Sequence, residues 1–246
     1  MKKKLVVLTG AGISAESGIK TFRDAGGLWE GHKVTDVATP EGWNKNPRLV
    51  LNFYNQRRQQ LQEVQPNFGH EILAELENDF EVFIITQNID NLHEKSGSSN
   101  VLHLHGELFK VRSTKNTNYI LDWQGDLNFG DLDDNGNQLR PHIVWFGEEV
   151  PALEEAVTIV ENADILIIIG TSLQVYPAAS LMNFAKPTIP VFYIDPKPAT
   201  IYDVPNDIKV IATTGSKGME IVRKELKKYN DNFNGNFNDK FFKSEI

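Results

Sequence analysis

Leu5-Val6-Val7-Leu8-Thr9-Gly10-Ala11-Gly12-Ile13-Ser14-Ala15 is an apolar run that breaks into a glycine-rich turn, and the rest of the architecture is read outward from it. Leu5 to Leu8 shows no alternation of apolar and polar residues, which marks a strand buried on both faces. The runs Val82 to Ile85, Ile165 to Ile169 and Val191 to Ile194 have the same character. Helix-like segments lie between them, over about 46–64, 68–78, 151–162 and 216–229. The expected class is therefore α/β, a parallel sheet with helices on both faces. Asn46 and Pro47 suit the cap and first position of the first helix, and Pro66 ends it.

The chain has 246 residues, 40% of them hydrophobic, enough for one main domain with an inserted lobe. Lys and Arg number 25 against 33 Asp and Glu, the formal charge is -8, and no basic block stands out beyond Lys2 to Lys4. No nucleic acid is expected as a direct partner. The basic head leads into only four apolar residues before the turn, so it reads as a first strand and not as a signal peptide. No run approaches the roughly eighteen apolar residues of a membrane span, and a soluble, cytoplasmic protein without a membrane partner is expected. The absence of cysteine rules out disulfides, thiolate metal sites and a cysteine nucleophile.

Two regions depart from the strand-helix rhythm. Residues 20–45 are rich in Gly, Trp and Pro, and residues 110–140 carry short strand-like pieces and the polar turn Asp131-Leu132-Asp133-Asp134-Asn135-Gly136. Both read as parts of a smaller lobe. The expected division is a large part of about 1–20, 66–108 and 143–229, a small lobe of about 21–65 and 109–142, and a mobile tail over 230–246.

The turn Gly10-Ala11-Gly12-Ile13-Ser14 either lets backbone amides approach a pyrophosphate or is simply tight. A dehydrogenase would continue into a second strand ending in an acidic residue. Here Thr21 to Trp29 follows instead, which is no strand. Three other strands end in polar groups: Gln87-Asn88-Ile89-Asp90, Gly170-Thr171-Ser172 and Asp195. Each is compatible with an ordinary polar loop. Together they fit one crevice beyond the carboxyl ends of a parallel sheet, where such folds bind ligands.

His103 and His105 stand two apart on an expected strand Val101 to His105, and one of them is expected to face the site. Gly106 favours His105, because it would let a ligand come close. His32, His70, His93 and His142 show no metal or triad spacing. In the helix after Pro47, Val50, Tyr54, Arg57, Leu61 and Val64 share one face, so Arg57 interrupts an apolar stripe. Either its stem packs while its head reaches water, or it is held inward and requires an anion, which Tyr54 can share.

The ordered set Gly10-Ala11-Gly12-Ile13-Ser14, Phe22-Arg23, Gln87-Asn88-Ile89-Asp90, His105-Gly106, Val144-Trp145-Phe146-Gly147-Glu148 and Gly170-Thr171-Ser172 resembles the sirtuins, most of all their bacterial deacylases, from residue 4 to about 228. The resemblance implies a Rossmann-like large domain, a small lobe, and NAD and an acyl-lysine protein or peptide meeting in the cleft between them, with NAD consumed as co-substrate. It implies His105 as the base that draws a proton from a ribose hydroxyl, a task suited to an imidazole near neutrality. Asn88 and Asp90 would orient ribose and nicotinamide within the loop Gln87 to Asp90, Arg23 would steady the phosphate-ribose region, and Phe22 would shield the reacting carbon. Gly10, Ala11, Gly12, Ser14, Gly170, Thr171 and Ser172 would line the phosphates, and Asp195 and the backbone near Thr214 would hold the adenosine. Val144, Trp145, Phe146 and Gly147 would pair with the substrate backbone. Tyr54 and Arg57 match the pair by which some sirtuins bind acidic acyl groups, which implies desuccinylation and demalonylation beside deacetylation.

The chain departs from most sirtuins in lacking the four cysteines of the small lobe's zinc, with Ser113 where the first is expected. No zinc is expected, and Tyr119, Leu121, Trp123, Leu127 and Phe129 are the expected substitute core. Asp131, Asp133, Asn135 and Gly136 open like a calcium loop, but His142 stands where the bidentate Glu belongs, so a tight polar turn fits better. NAD glycohydrolase or ADP-ribosyltransferase activity, and a catalytically idle NAD sensor, are the alternatives. The peptide-pairing segment and acyl pair argue against the first, and the retention of His105, Asn88 and Asp90 against the second.

Overall fold

A computed structural model describes residues 2–20, 28–29, 31–201 and 208–233. In chain order the strands are β1 (Lys4–Thr9), β2 (Leu28–Trp29), β3 (His32–Lys33), β4 (Glu81–Thr86), β5 (Val101–His103), β6 (Gly106–Ser113), β7 (Ile120–Asp122), β8 (Leu139–Ile143), β9 (Ile165–Ile169), β10 (Val191–Ile194) and β11 (Ile208–Ile211). The helices are α1 (Ala11–Ser14), α2 (Val34–Val37), α3 (Pro40–Lys45), α4 (Pro47–Glu63), α5 (Phe68–Leu76), α6 (Leu92–Lys95), α7 (Leu153–Glu161) and α8 (Gly215–Phe233). All four apolar runs are strands. Asn46 caps α4 by accepting from the Leu49 amide, with Pro47 first in the helix.

Among the described residues the main sheet has six strands in the order β11-β10-β9-β1-β4-β5, and every neighbouring pair is parallel. Counting only its own strands, the sheet runs 3-2-1-4-5-6 from the β5 edge, the doubly wound Rossmann order. Connections leave β1 in one direction and β9 in the other, so a crevice opens between them. Register makes that crevice flush, since Thr9 lies opposite both Thr86 and Ile169, and Ile169 opposite Ile194.

Pleating sends Leu5 and Val7 to one face and Val6 and Leu8 to the other. The first face packs on Ile72, Leu73 and Leu76 of α5 and on Met219, Val222 and Leu226 of α8. The second packs on Ala156 and Val160 of α7 and on Leu181 and Met182 of the short 3-10 helix Ala178–Phe184. Each fully buried Val, Leu or Ile in these layers contributes about 1.5–3 kcal/mol of transfer free energy. α8 continues four residues past the expected end at 229, since the first glycine after Tyr229 is Gly235. The expected tail thus begins inside a helix, and its residues 234–246 lie outside the described ones. No helix among the described residues is long and apolar enough to cross a membrane.

The small lobe is the antiparallel sheet β7-β6-β8. Its core is Leu51, Val111, Leu127 and Leu139, with Trp43, Tyr119 and Trp123 packed against it. Of the expected substitute core, Leu121 and Phe129 are instead exposed, and the Arg48 guanidinium lies 4.8 Å from the Phe129 ring centre. Polar staples do the rest. Asn55 of α4 binds both the amide and the carbonyl of Leu127, at 2.9 and 3.1 Å. Arg58, 1% exposed, donates to the Leu108 carbonyl and to Asn55. Asp133 accepts from the amides of Asn135 and Asn137 and from the Asn137 side chain. The Ser113 hydroxyl and these donors hold its carboxyl at about 2. There is no cysteine, so the thiolate zinc site of most sirtuins has no ligands in this lobe.

Candidate active site

A cleft of about 590 Å³ opens at the switch point between β1 and β9. Gly10, Ala11 and Gly12 lie beside Gly170, Thr171 and Ser172 in its lining, while Gln87, Asn88, Ile89 and Asp90, His105 and Asp195 complete the sheet side. The other wall is Tyr54 and Val144, Trp145, Phe146 and Gly147. Ser14 lies beneath, fully buried. Arg57 and Thr214 are not in the lining, and Phe22 and Arg23 lie outside the described residues. The Thr214 hydroxyl is turned to Glu16.

The two glycine turns interlock. The Gly12 amide donates to the Gly170 carbonyl at 2.8 Å, and a Cβ on Gly12 would lie 2.6 Å from the Gly170 Cα. Gly170 has φ +61 and sits 2.3 Å, measured from an added Cβ, from the Ile13 nitrogen. Only glycine fits, and the floor of the cleft is bare backbone suited to phosphate contact.

Loop 87–90 is tied to that floor. Asn88 donates to the Gly10 carbonyl and to Ser14 Oγ, each at 3.2 Å, and the Ser14 hydroxyl donates to Asp90 at 3.0 Å. Gln87 donates to Thr171 Oγ1. Burial raises the Asp90 carboxyl above the usual range, opposed by the Leu92 amide and the Ser14 hydroxyl.

His105 is not on the strand expected for it. β5 stops at His103, and His105 occupies the turn before Gly106, whose φ is +81. Gly106 makes its close approach to the protein, because an added Cβ would lie 2.0 Å from the His142 carbonyl oxygen. On a continued strand residues two apart would share a face; here the turn gives each ring its own carbonyl of loop 87–90. His105 Nδ1 donates to the Gln87 carbonyl and His103 Nδ1 to the Asn88 carbonyl, each at 3.0 Å. Burial lowers the His105 imidazole below its usual value, so it is neutral at pH 7 with its lone pair on Nε2.

On the opposite wall Tyr54 is fully buried and its oxygen accepts from Trp145 Nε1 at 3.0 Å. One turn along α4, the Arg57 guanidinium lies 4.7 Å from the Phe53 ring centre, with Nε and Nη1 shielded from solvent. The deepest arginine among the described residues is its neighbour Arg58, which burial lowers to about 10 and which periodicity alone did not single out. Glu148 was also missed as a functional group. It pairs with Arg140 and Arg112, accepts from the Trp145 amide at 2.8 Å and so fixes the Trp145 backbone. A charged residue directly after an apolar wall segment was the available signal.

The Sir2 family model matches residues 10–177. An NAD-dependent protein deacylase of Helicobacter pylori (strain J99) is 59% identical over 224 residues, covering 91% of this chain and 95% of its own length. That of Bacteroides thetaiotaomicron is 55% identical over 230 residues, covering 91% and 98%. Among solved structures, a Sir2 homologue in complex with NAD superposes with a TM-score of 0.81 at 38% identity, covering 93% of this chain and 91% of that one. A Sir2 variant with a deacetylated p53 peptide and acetyl ADP ribose gives 0.77 at 28% identity, covering 91% and 94%.

Proposed function

The chain belongs to the Sir2 family, and with it to the NAD-dependent protein-lysine deacylases, and we propose that it removes succinyl and malonyl groups as well as acetyl groups, releasing nicotinamide and O-acyl-ADP-ribose. The observation that carries the acyl range is the placement of Tyr54 in the cleft wall with Arg57 one helical turn away, a phenol and a guanidinium on one face of α4. A carboxylate at the end of an acyl chain would meet the Tyr54 hydroxyl there, and the Arg57 guanidinium once it turned from the Phe53 ring toward the cleft, and such charge-assisted bonds are the strong ones.

NAD is the co-substrate. The bare backbone of the two glycine turns fits its diphosphate, with Gly10, Ala11, Gly12, Gly170, Thr171 and Ser172 around it and Ser14 behind. Asp195, at the end of β10, is placed to accept from the adenosine ribose hydroxyls, with the backbone near Thr214 beyond. When bound, NAD supplies the ribose carbon that gives up nicotinamide and takes the acyl oxygen. Asn88 and Asp90, held by Ser14, orient that ribose and the nicotinamide amide, with Gln87 and Ile89 as the loop that carries them. His105 accepts the ribose hydroxyl proton at Nε2 and returns it as the acyl group migrates. Within Val144 to Gly147 the amides of Val144, Trp145 and Phe146 are held by the protein itself, so an extended peptide would pair with the backbone groups that remain, the Val144 and Phe146 carbonyls and the Gly147 amide, and many sequences would be accepted. Phe22 and Arg23 keep the shielding and phosphate-ribose roles that the family pattern implies.

The test is a panel of acetyl-, malonyl- and succinyl-lysine peptides with NAD, following nicotinamide and acyl-ADP-ribose. Loss of one charge-assisted bond, about 1.5–3 kcal/mol, corresponds to roughly 10- to 100-fold. Arg57→Met should lower the succinyl-to-acetyl ratio of kcat/KM by about that factor. An unchanged ratio sinks the acyl assignment.

A further inference from the structure

Asn88 and Asp90 can orient a ligand only as well as their own backbone is held, and the group that holds it lies outside the cleft. His103 Nδ1 sits 3.0 Å from the Asn88 carbonyl oxygen, and its Nε2 sits 2.8 Å from Glu94 Oε1 on α6. A carbonyl oxygen and a carboxylate only accept, so a ring between them donates at both nitrogens and carries a full positive charge. His105 differs at this point alone: its Nδ1 meets the Gln87 carbonyl, and its Nε2 has no hydrogen-bond partner among the described residues. Two histidines two residues apart are thereby set in different protonation states by their neighbours.

We propose that His103 and Glu94 form a charged positioning pair for loop 87–90, the imidazolium bridging the α6 carboxylate to the Asn88 carbonyl and fixing how the Asn88 and Asp90 side chains face the NAD site. The inference rests on the reading of that loop given under Proposed function. Turning the Asn88 peptide would break the two bonds of its side chain to Gly10 and Ser14, and with Ser14 the bond to Asp90. The charge matters as well as the shape. Burial alone would push the His103 ring toward neutrality, but the bond and charge of Glu94 outweigh it and raise the ring above its usual value. Burial likewise acts upward on Glu94, and His103 reverses it. The other groups acting around the ring are Asp90 in the loop, His93 on α6, and Glu107 on β6, itself paired with Lys110 at 2.7 Å. A positive His103 counters the burial of Asp90 and disfavours protonation of His93.

The test uses the full chain, an acetyl-lysine peptide and NAD between about pH 6 and 9.5. In Glu94→Gln the KM for NAD should rise about fivefold or more, with the peptide KM within about twofold. The alkaline fall of kcat/KM for NAD should begin at lower pH than in the wild type, because the neutral amide no longer holds the ring charged. Glu94→Asp should restore part of both effects. His103→Gln keeps a donor for the Asn88 carbonyl but does not titrate, so it should raise the KM for NAD and remove the alkaline fall. A wild-type profile and NAD KM in these variants, whatever happens to their melting temperatures, leaves His103 a mere packing group and overturns the proposal. Nitrogen NMR of the wild-type rings at pH 7.5 provides a reading free of variants: His103 doubly protonated, His105 neutral with its hydrogen on Nδ1. A neutral His103 there also overturns it. A wild type that cleaves no NAD sinks the reading of the loop and this pair with it, an outcome distinct from an active enzyme that Glu94→Gln leaves unmoved.

Discussion

At the scale of single residues, the cleft works by giving similar side chains different partners. His105 is neutral because burial disfavours its cation and, among the described residues, one of its nitrogens alone is engaged. A base acts in its deprotonated form, so a lowered value extends activity to the acid side. Acyl transfer should persist as the pH falls through 6.5 and decline only below it, as a pH profile of acyl-ADP-ribose formation will show. His105→Ala should reduce that formation by about 100-fold or more, and near-wild-type turnover in the variant would remove the base assignment. That a histidine followed by glycine matters was legible in the sequence. Its tautomer was not, because the Gln87 carbonyl that fixes it lies 18 residues away along the chain.

At the scale of elements, the paired strands β6 and β8 show how a lobe without zinc cysteines is held. Four donors converge on Asp133: the hydroxyl of Ser113 at the end of β6, the amides of Asn135 and Asn137, and the Asn137 side chain. A lowered carboxylate contributes stability above its unfolded value near 3.8 and loses it as pH falls through about 2, so ordinary pH leaves the clasp intact. Substitution reaches it instead. Asp133→Asn should lower the melting temperature and speed amide exchange chiefly across 113–140, whereas exchange that rises equally in the main sheet would show that the clasp is not local. Helix starts were legible, since Asn46 and Pro47 act within their own turn. The end of β5 was not, because it depends on Gly106 lying against the distant His142 backbone. Leu121 and Phe129 were misjudged as core for the same reason: hydrophobicity is local, and the partner surface is not.

At the scale of the whole molecule, the layers meet at a buried histidine pair. His70 of α5 and His93 of α6 stack edge to face with ring centres 4.9 Å apart, both fully buried, and His93 Nε2 reaches Thr9 Oγ1 at the end of β1. Burial lowers His70 to about 4 and lowers His93 well below its usual value, where the neighbouring histidines add to the effect. The unfolded chain takes up protons below about 6.5 while the native one refuses them, so stability is full above 6.5 and drains between 6.5 and 4. The His70 shift alone corresponds to about 3 kcal/mol. His103 acts with opposite sign, its contribution complete below 6.5 and lost as pH rises through its raised value. Denaturant midpoints should therefore fall steadily from pH 6.5 to 4.5, and His70→Gln should flatten that slope by up to one proton; an equal slope in the variant rules the pair out as the cause. By itself the sequence determined the parallel sheet, the glycine turns at its switch point and the ordered residues of the cleft, because periodicity, turn chemistry and motif order are properties of neighbouring residues. Only the tertiary structure decided that Arg58 goes deeper than Arg57, that Asp133 clasps the small lobe, and that His103 is charged where His105 is neutral. Burial and protonation depend on groups that folding brings together from distant parts of the chain.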